Sequence, residues 1–102
     1  MNKWGIPIEI EQQVLERDAR CVYCLCDFNK SIRKLKPSWE HIINDIRITA
    51  IDNIALCCVS CNASKGSKKL IDWFSSNYCK INNINIETVA PIIREHLLKY
   101  RD

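Results

Sequence analysis

Cys21-Val22-Tyr23-Cys24 and Cys58-Val59-Ser60-Cys61-Asn62 carry two C-x2-C turns, separated by the whole stretch from Leu25 to Cys57. Each turn sets two thiols on one side of a tight bend, and two such bends can converge on a single tetrahedral zinc. Thiolates suit zinc because it is a borderline-soft d10 ion with no geometric demand beyond tetrahedral packing, and an all-cysteine shell leaves no open position for a reactant. The ion expected on Cys21, Cys24, Cys58 and Cys61 is therefore structural. Cys26 and Cys57 adjoin the four and leave rival pairings open, Cys24-x-Cys26 or Cys57-x3-Cys61. The x2 spacing is preferred on both sides because it lets successive backbone amides face the sulfurs, and Cys26, Cys57 and Cys79 are then read as small packed thiols.

A chain of 102 residues makes one domain, spanning 1–102. It lies near the size at which a metal staple substitutes for missing hydrophobic burial. Seven cysteines could instead frame a secreted disulfide scaffold, but their number is odd and no leader-like segment precedes Ile8, so reduced thiols and a cytoplasmic location are expected. In such a compartment the glycosylation sequon Asn62-Ala63-Ser64 is chance. No apolar run approaches the roughly 20 residues that span a bilayer, so no membrane association is expected. A net charge of +3 is mild and by itself argues only weakly for a polyanionic partner; the placement of the basic residues matters more than their sum.

Residues 8–19 read as a short amphipathic helix after Pro7, with Ile10, Val14 and Leu15 on its apolar face. Residues 32–41 alternate Leu35, Pro37 and Trp39 against Lys34, Lys36 and Ser38, an edge strand because Pro37 supplies no ladder donor. A loop from Ile42 to Asp52 leads to a short return strand over 53–57, and the chain turns helical after Cys61 with a break near 65–67. A C-terminal helical extension over 68–101 follows. Leu70, Ile71, Trp73, Phe74 and Tyr78 face one helix, and Val89, Ile92, Ile93, Leu97 and Tyr100 mark another that begins near Thr88, with Pro91 in its first turn. Small α+β, with flanking helices at both ends, is the expected class.

Of the two histidines, His96 reads as a packed or surface residue of the last helix. His41 follows Glu40 at the end of a strand between the two knuckles, and is the natural general base for deprotonating water near neutral pH. Strand alternation sends Glu40 and His41 to opposite faces, so one site can use both only if the chain bends there.

Across residues 20–66, Cys21-Val-Tyr-Cys24, Trp39-Glu40-His41-Ile42-Ile43, Asp52-Asn53-Ile54-Ala55-Leu56 and Cys58-Val-Ser-Cys61-Asn62-Ala-Ser-Lys65-Gly66 together resemble the HNH endonucleases. The resemblance implies a treble-clef-like ββα-metal core stapled by the four-cysteine zinc, and a metal-dependent DNA endonuclease that hydrolyses phosphodiester bonds. In those terms His41 is the general base, Asn53 braces the loop carrying it, and Glu40 and Asn62 ligate one catalytic Mg2+ or Mn2+. The chain is thus an H-N-N variant. It departs from the family pattern in having Glu rather than Asp before the histidine, and in lacking the usual proline and paired glycines over residues 42–52.

Lys34, Lys36, Lys65, Lys68 and Lys69, with Arg33, flank this constellation and are expected to track the DNA backbone without reading its sequence. Cutting both strands would call for a homodimer. Two rival readings keep the zinc but not the chemistry: a non-catalytic zinc-knuckle nucleic-acid-binding module, and a treble-clef protein-interaction domain in which the basic residues are incidental. Trp39, Trp73, Phe74 and Tyr78 are read as core.

Overall fold

The computed structural model describes residues 5–45 and 47–100. Its sheet is a single antiparallel pair, β1 (Pro37–His41) and β2 (Ile54–Cys58), in the register Pro37↔Cys58 to His41↔Ile54. Before the sheet lies α1 (Ile8–Arg17). A helix α2 (Val59–Lys65) leaves β2 directly, so strand, loop, strand and helix follow in the expected order. Behind them come α3 (Leu70–Phe74), α4 (Asn77–Ile81) and α5 (Pro91–Tyr100).

Several boundaries differ from the sequence expectation, each for a local reason. The strand expected over 32–41 begins only at Pro37, because Arg33–Leu35 close a 3-10 turn. The helix expected to follow Cys61 starts earlier, at Val59, with Cys58 as its N-cap. The single helix expected over the Leu70–Tyr78 stripe is two, since the Ser76 hydroxyl accepts the Cys79 amide and restarts the chain as α4. The last helix begins at Pro91 rather than near Thr88, whose hydroxyl donates to the Asn83 carbonyl and accepts the Asn85 amide in the preceding turn. Its described part ends at Tyr100. In α1 the stripe is narrower than expected: Val14 is buried, but Leu15 is 51% exposed.

All five residues of β2 are buried, so this strand runs through the middle of the molecule. One edge pairs with β1. The other is closed by two segments from before the sheet: the Asp18 carboxylate accepts the Leu56 amide at 3.0 Å, and the Val22 amide donates to the Leu56 carbonyl at 3.2 Å. Arg17 adds bonds to the Ile51 and Ile54 carbonyls and grips Asp18 itself. A two-stranded ribbon is marginal alone, and these contacts substitute for a third strand.

The main core gathers Cys21, Val22, Tyr23, Ile42, Cys57, Leu70, Trp73 and Ile93, so the C-terminal extension shares one core with the knuckles. Its radius of gyration, 12.6 Å, matches the roughly 13 Å of a 100-residue domain. No described helix is long and apolar enough to cross a membrane.

Removing the Asp18 carboxylate strands a buried amide on β2. Asp18→Ala is expected to lower unfolding free energy by about 1–3 kcal/mol, while Leu15→Ala stays within about 0.5 kcal/mol. Urea denaturation of the two variants checks this, and equal midpoints would remove Asp18 from the edge's support.

Candidate metal centre and adjoining polar site

Both C-x2-C segments form the expected turns. The Cys24 amide points at the Cys21 sulfur at 3.5 Å, and the Cys61 amide at the Cys58 sulfur at 3.4 Å. The turns meet where Cys24 Sγ and Cys58 Sγ stand 3.9 Å apart. A zinc–sulfur bond of about 2.3 Å in a tetrahedron requires sulfurs about 3.8 Å apart, so this spacing suits zinc.

The sulfurs of Cys21, Cys24, Cys26 and Cys58 all lie within 4.8 Å of one another, a cluster that can hold a metal such as zinc. Cys26, read from sequence as a packed bystander, therefore belongs to the cluster. Leu25, at φ +63°, reverses the chain so that the Cys26 carbonyl accepts the Cys21 amide at 3.1 Å, and this brings the third thiol of the segment back. Cys61, expected as the fourth ligand, is not one of that mutually close set; it adjoins Cys21, Cys24 and Cys58, and the Tyr78 hydroxyl donates to its sulfur at 3.4 Å. Hydrogen bonds from Cys21, Cys58 and Cys61 hold the Cys24 thiol far below its ordinary range, while contacts with Cys21 and Cys24 push Cys58 and Cys61 up. Cys57 and Cys79 are buried thiols outside the cluster, as expected.

Glu40 and Lys65 are placed together, but not as expected. Glu40 is only 4% exposed; its Oε2 accepts the Tyr23 hydroxyl at 2.8 Å and stands 3.3 Å from the Lys65 ammonium. Burial raises the Glu40 carboxyl above its usual range, opposed by Lys65 and Tyr23. Lys65 is wholly buried and also donates to the Ile42 carbonyl at 2.7 Å. It is therefore not one of the surface cations: its ammonium bolts α2 to the strand end and the loop after it. Lys34, Lys36, Lys68, Lys69 and Arg33 are exposed.

Asn62 Nδ2 donates to Ser38 Oγ at 3.0 Å and to the Trp39 carbonyl at 3.2 Å, beside a shallow depression of about 220 Å³ lined by Ser38, Val59, Asn62 and Ala63. A divalent ion shared by Glu40 and Asn62 does not fit this arrangement. The carboxylate is enclosed with an ammonium already in contact, and a second cation would have to displace Lys65.

His41 is half-exposed at the end of β1. Burial lowers its pKa from the ordinary 6.5, with Asp45 opposing. Asp45 is itself held at about 2 by Arg47, so it stays anionic beside the imidazole. The loop after His41 hangs on Asn53, which is fully buried. Asn53 Oδ1 accepts the Ile43 amide at 2.8 Å, and Nδ2 donates to the Ile48 carbonyl at 3.0 Å and the Ile43 carbonyl at 3.3 Å. From outside the loop, α5 grips the neighbouring residue: the Lys99 ammonium and the Tyr100 hydroxyl bind the Asp52 carboxylate, and His96 Nδ1 lies 3.2 Å from the Asp52 carbonyl. His96 is thus a packed residue that helps hold the loop.

Sequence reasoning missed Tyr23, Asp45 and the buried role of Lys65. Tyr23 lies inside the first C-x2-C turn and Lys65 four residues beyond Cys61, but neither pattern shows which way a side chain points. Asp45 falls in the long loop, where no periodicity applies.

Metal removal should be close to unfolding: one zinc per chain is expected in natively purified protein, and a strong chelator should abolish the cooperative melt. Elemental analysis with calorimetry checks this, and a zinc-free protein melting cooperatively would refute it. Breaking one side of the buried pair, as Lys65→Met or Glu40→Gln, is expected to cost about 3–5 kcal/mol in urea, since an uncompensated buried polar group remains.

Searches against family models, curated proteins and solved structures find no match.

Proposed function

We propose that this chain is a DNA endonuclease of the HNH kind, hydrolysing phosphodiester bonds with His41 as general base. The observation that carries the proposal is the Asn53 brace. A buried amide commits both its donor and its acceptor capacity to Ile43 and Ile48, fixing the loop that leaves His41, which is the role the resemblance assigns to it. Support also comes from the strand, loop, strand and helix order over the cysteine cluster, read here as a ββα-metal core.

Hydrolysis needs a water activated in line with the phosphorus and cations against the phosphoryl oxygens. His41 supplies the first: its lowered pKa keeps the ring neutral at pH 7, Nδ1 or Nε2 is free of protein hydrogen bonds among the described residues, and Asp45 stabilises the imidazolium formed. Lys34, Lys36, Lys68 and Lys69 supply positive charge along the duplex backbone. Zinc on the cysteines would fix the two turns and take no part in bond breaking. Glu40, closed against Lys65, is not open to a catalytic Mg2+ or Mn2+, so the charge on the phosphoryl oxygens is left to the lysines. Reduced thiols fit a cytoplasmic setting, and double-strand cleavage would call for a homodimer.

That same closed pair favours one rival, a zinc-knuckle module that binds nucleic acid without cutting it. Supercoiled plasmid incubated with Mg2+, with Mn2+ or with chelator of divalent ions separates the two, since binding without nicked or linear product leaves only the rival.

His41→Ala is expected to lose roughly 100- to 10,000-fold in rate while keeping zinc and DNA affinity, because a base acts in the transition state. A near-normal rate would end its assignment. In the native protein the acid limb of the pH–rate profile should fall below 6.5, since a depressed pKa delays protonation of the base as pH drops.

Each exposed lysine that touches phosphate should reduce the slope of log affinity against log salt by about 0.9 when removed. Lys36→Ala and Lys69→Ala test this by fluorescence anisotropy, and unchanged slopes in both would take these lysines off the DNA path.

A further inference from the structure

Five thiols surround a site that offers a zinc ion four positions. Cys21, Cys24 and Cys58 are common to every arrangement: they belong to the mutually close set, and Cys61 neighbours all three. The fourth place has two claimants approaching from different segments. Cys26 reaches it from the Cys21 turn, returned by the left-handed Leu25, a conformation that a β-carbon disfavours by about 1–2 kcal/mol. Cys61 reaches it from the first turn of α2, one residue beyond Ser60, whose hydroxyl shares a 2.8 Å hydrogen bond with the Tyr78 hydroxyl that also donates to the Cys61 sulfur.

We propose that Cys26 and Cys61 are alternative fourth ligands of one zinc held throughout by Cys21, Cys24 and Cys58. The two thiols differ in surroundings, not in chemistry. Cys61 is buried and its sulfur already accepts a hydroxyl hydrogen bond, whereas Cys26 is half-buried. A tetrahedral ion accepts one of them and leaves the other as a free thiol beside it. Loss of either can then be absorbed by the other, while loss of any of the common three cannot. The inference rests on the sulfur geometry and the zinc reading, not on nuclease activity.

The test compares wild type with Cys26→Ser, Cys61→Ser, the double variant and Cys21→Ser, each loaded with Co2+ as a spectroscopic stand-in for zinc. Both single variants should retain one ion per chain, the d–d bands of a four-sulfur site, and affinity within about tenfold of wild type. The double variant and Cys21→Ser should show a three-sulfur spectrum and lose affinity roughly 100-fold, at or beyond the upper range for losing a supporting residue. A Cys61→Ser protein with the double variant's spectrum would overturn the proposal.

Should a variant fail to fold, iodoacetamide labelling of zinc-loaded wild type decides the matter. Label divided between Cys26 and Cys61 with zinc retained supports exchange; label on Cys26 alone means a fixed ligand set and overturns it. Zinc-free wild type also overturns it, and leaves the plasmid assay to judge the nuclease reading separately.

Discussion

Sulfurs from two turns far apart in the chain must meet at one point, and most of the molecule is arranged around that meeting. The Cys21 segment stays close to β2 because Asp18 and Val22 bond to Leu56, and the Cys58 turn is the junction of β2 and α2. The strand edge and the sulfur cluster therefore brace the same two segments. The crowded sulfurs can hold a metal such as zinc, and an ion held there would tie these two segments together directly.

A second buried charge site lies one turn further along the same helix. Lys65 ties α2 to Glu40 and to the Ile42 carbonyl, and Tyr23 carries the network from Glu40 into the core, where its ring meets Trp73 edge-on at 4.8 Å. Trp73 in turn donates to Ser64 on α2 at 3.0 Å. Strand, knuckle, α2 and α3 are thus locked by polar contacts at fixed angles. Apolar packing alone would not impose such directions, and the cost is a carboxylate held away from solvent.

His41 benefits from this rigidity without being part of it. Its strand is fixed by pairing with β2, the loop beyond it by Asn53 within and Asp52 against α5. His41 itself is left half-exposed at the strand end. A general base held this way has its orientation set by backbone and its protonation set by partial burial, the combination that the proposed chemistry needs.

The cysteine turns and the pairing of two short strands were legible in the sequence, because each follows from local spacing, whereas the brace at Asn53 was expected only through the family resemblance. The splitting of the Leu70–Tyr78 helix was also local, but the Ser76 cap is drowned by a longer apolar stripe. Tertiary structure alone decided three things: that Cys26 returns to the sulfur cluster, that Lys65 points inward, and that Glu40 meets an ammonium. The physical reason is common to them. Spacing along the chain fixes which residues lie near one another on an element, while the direction and solvation of a long or charged side chain depend on what the rest of the fold brings against it.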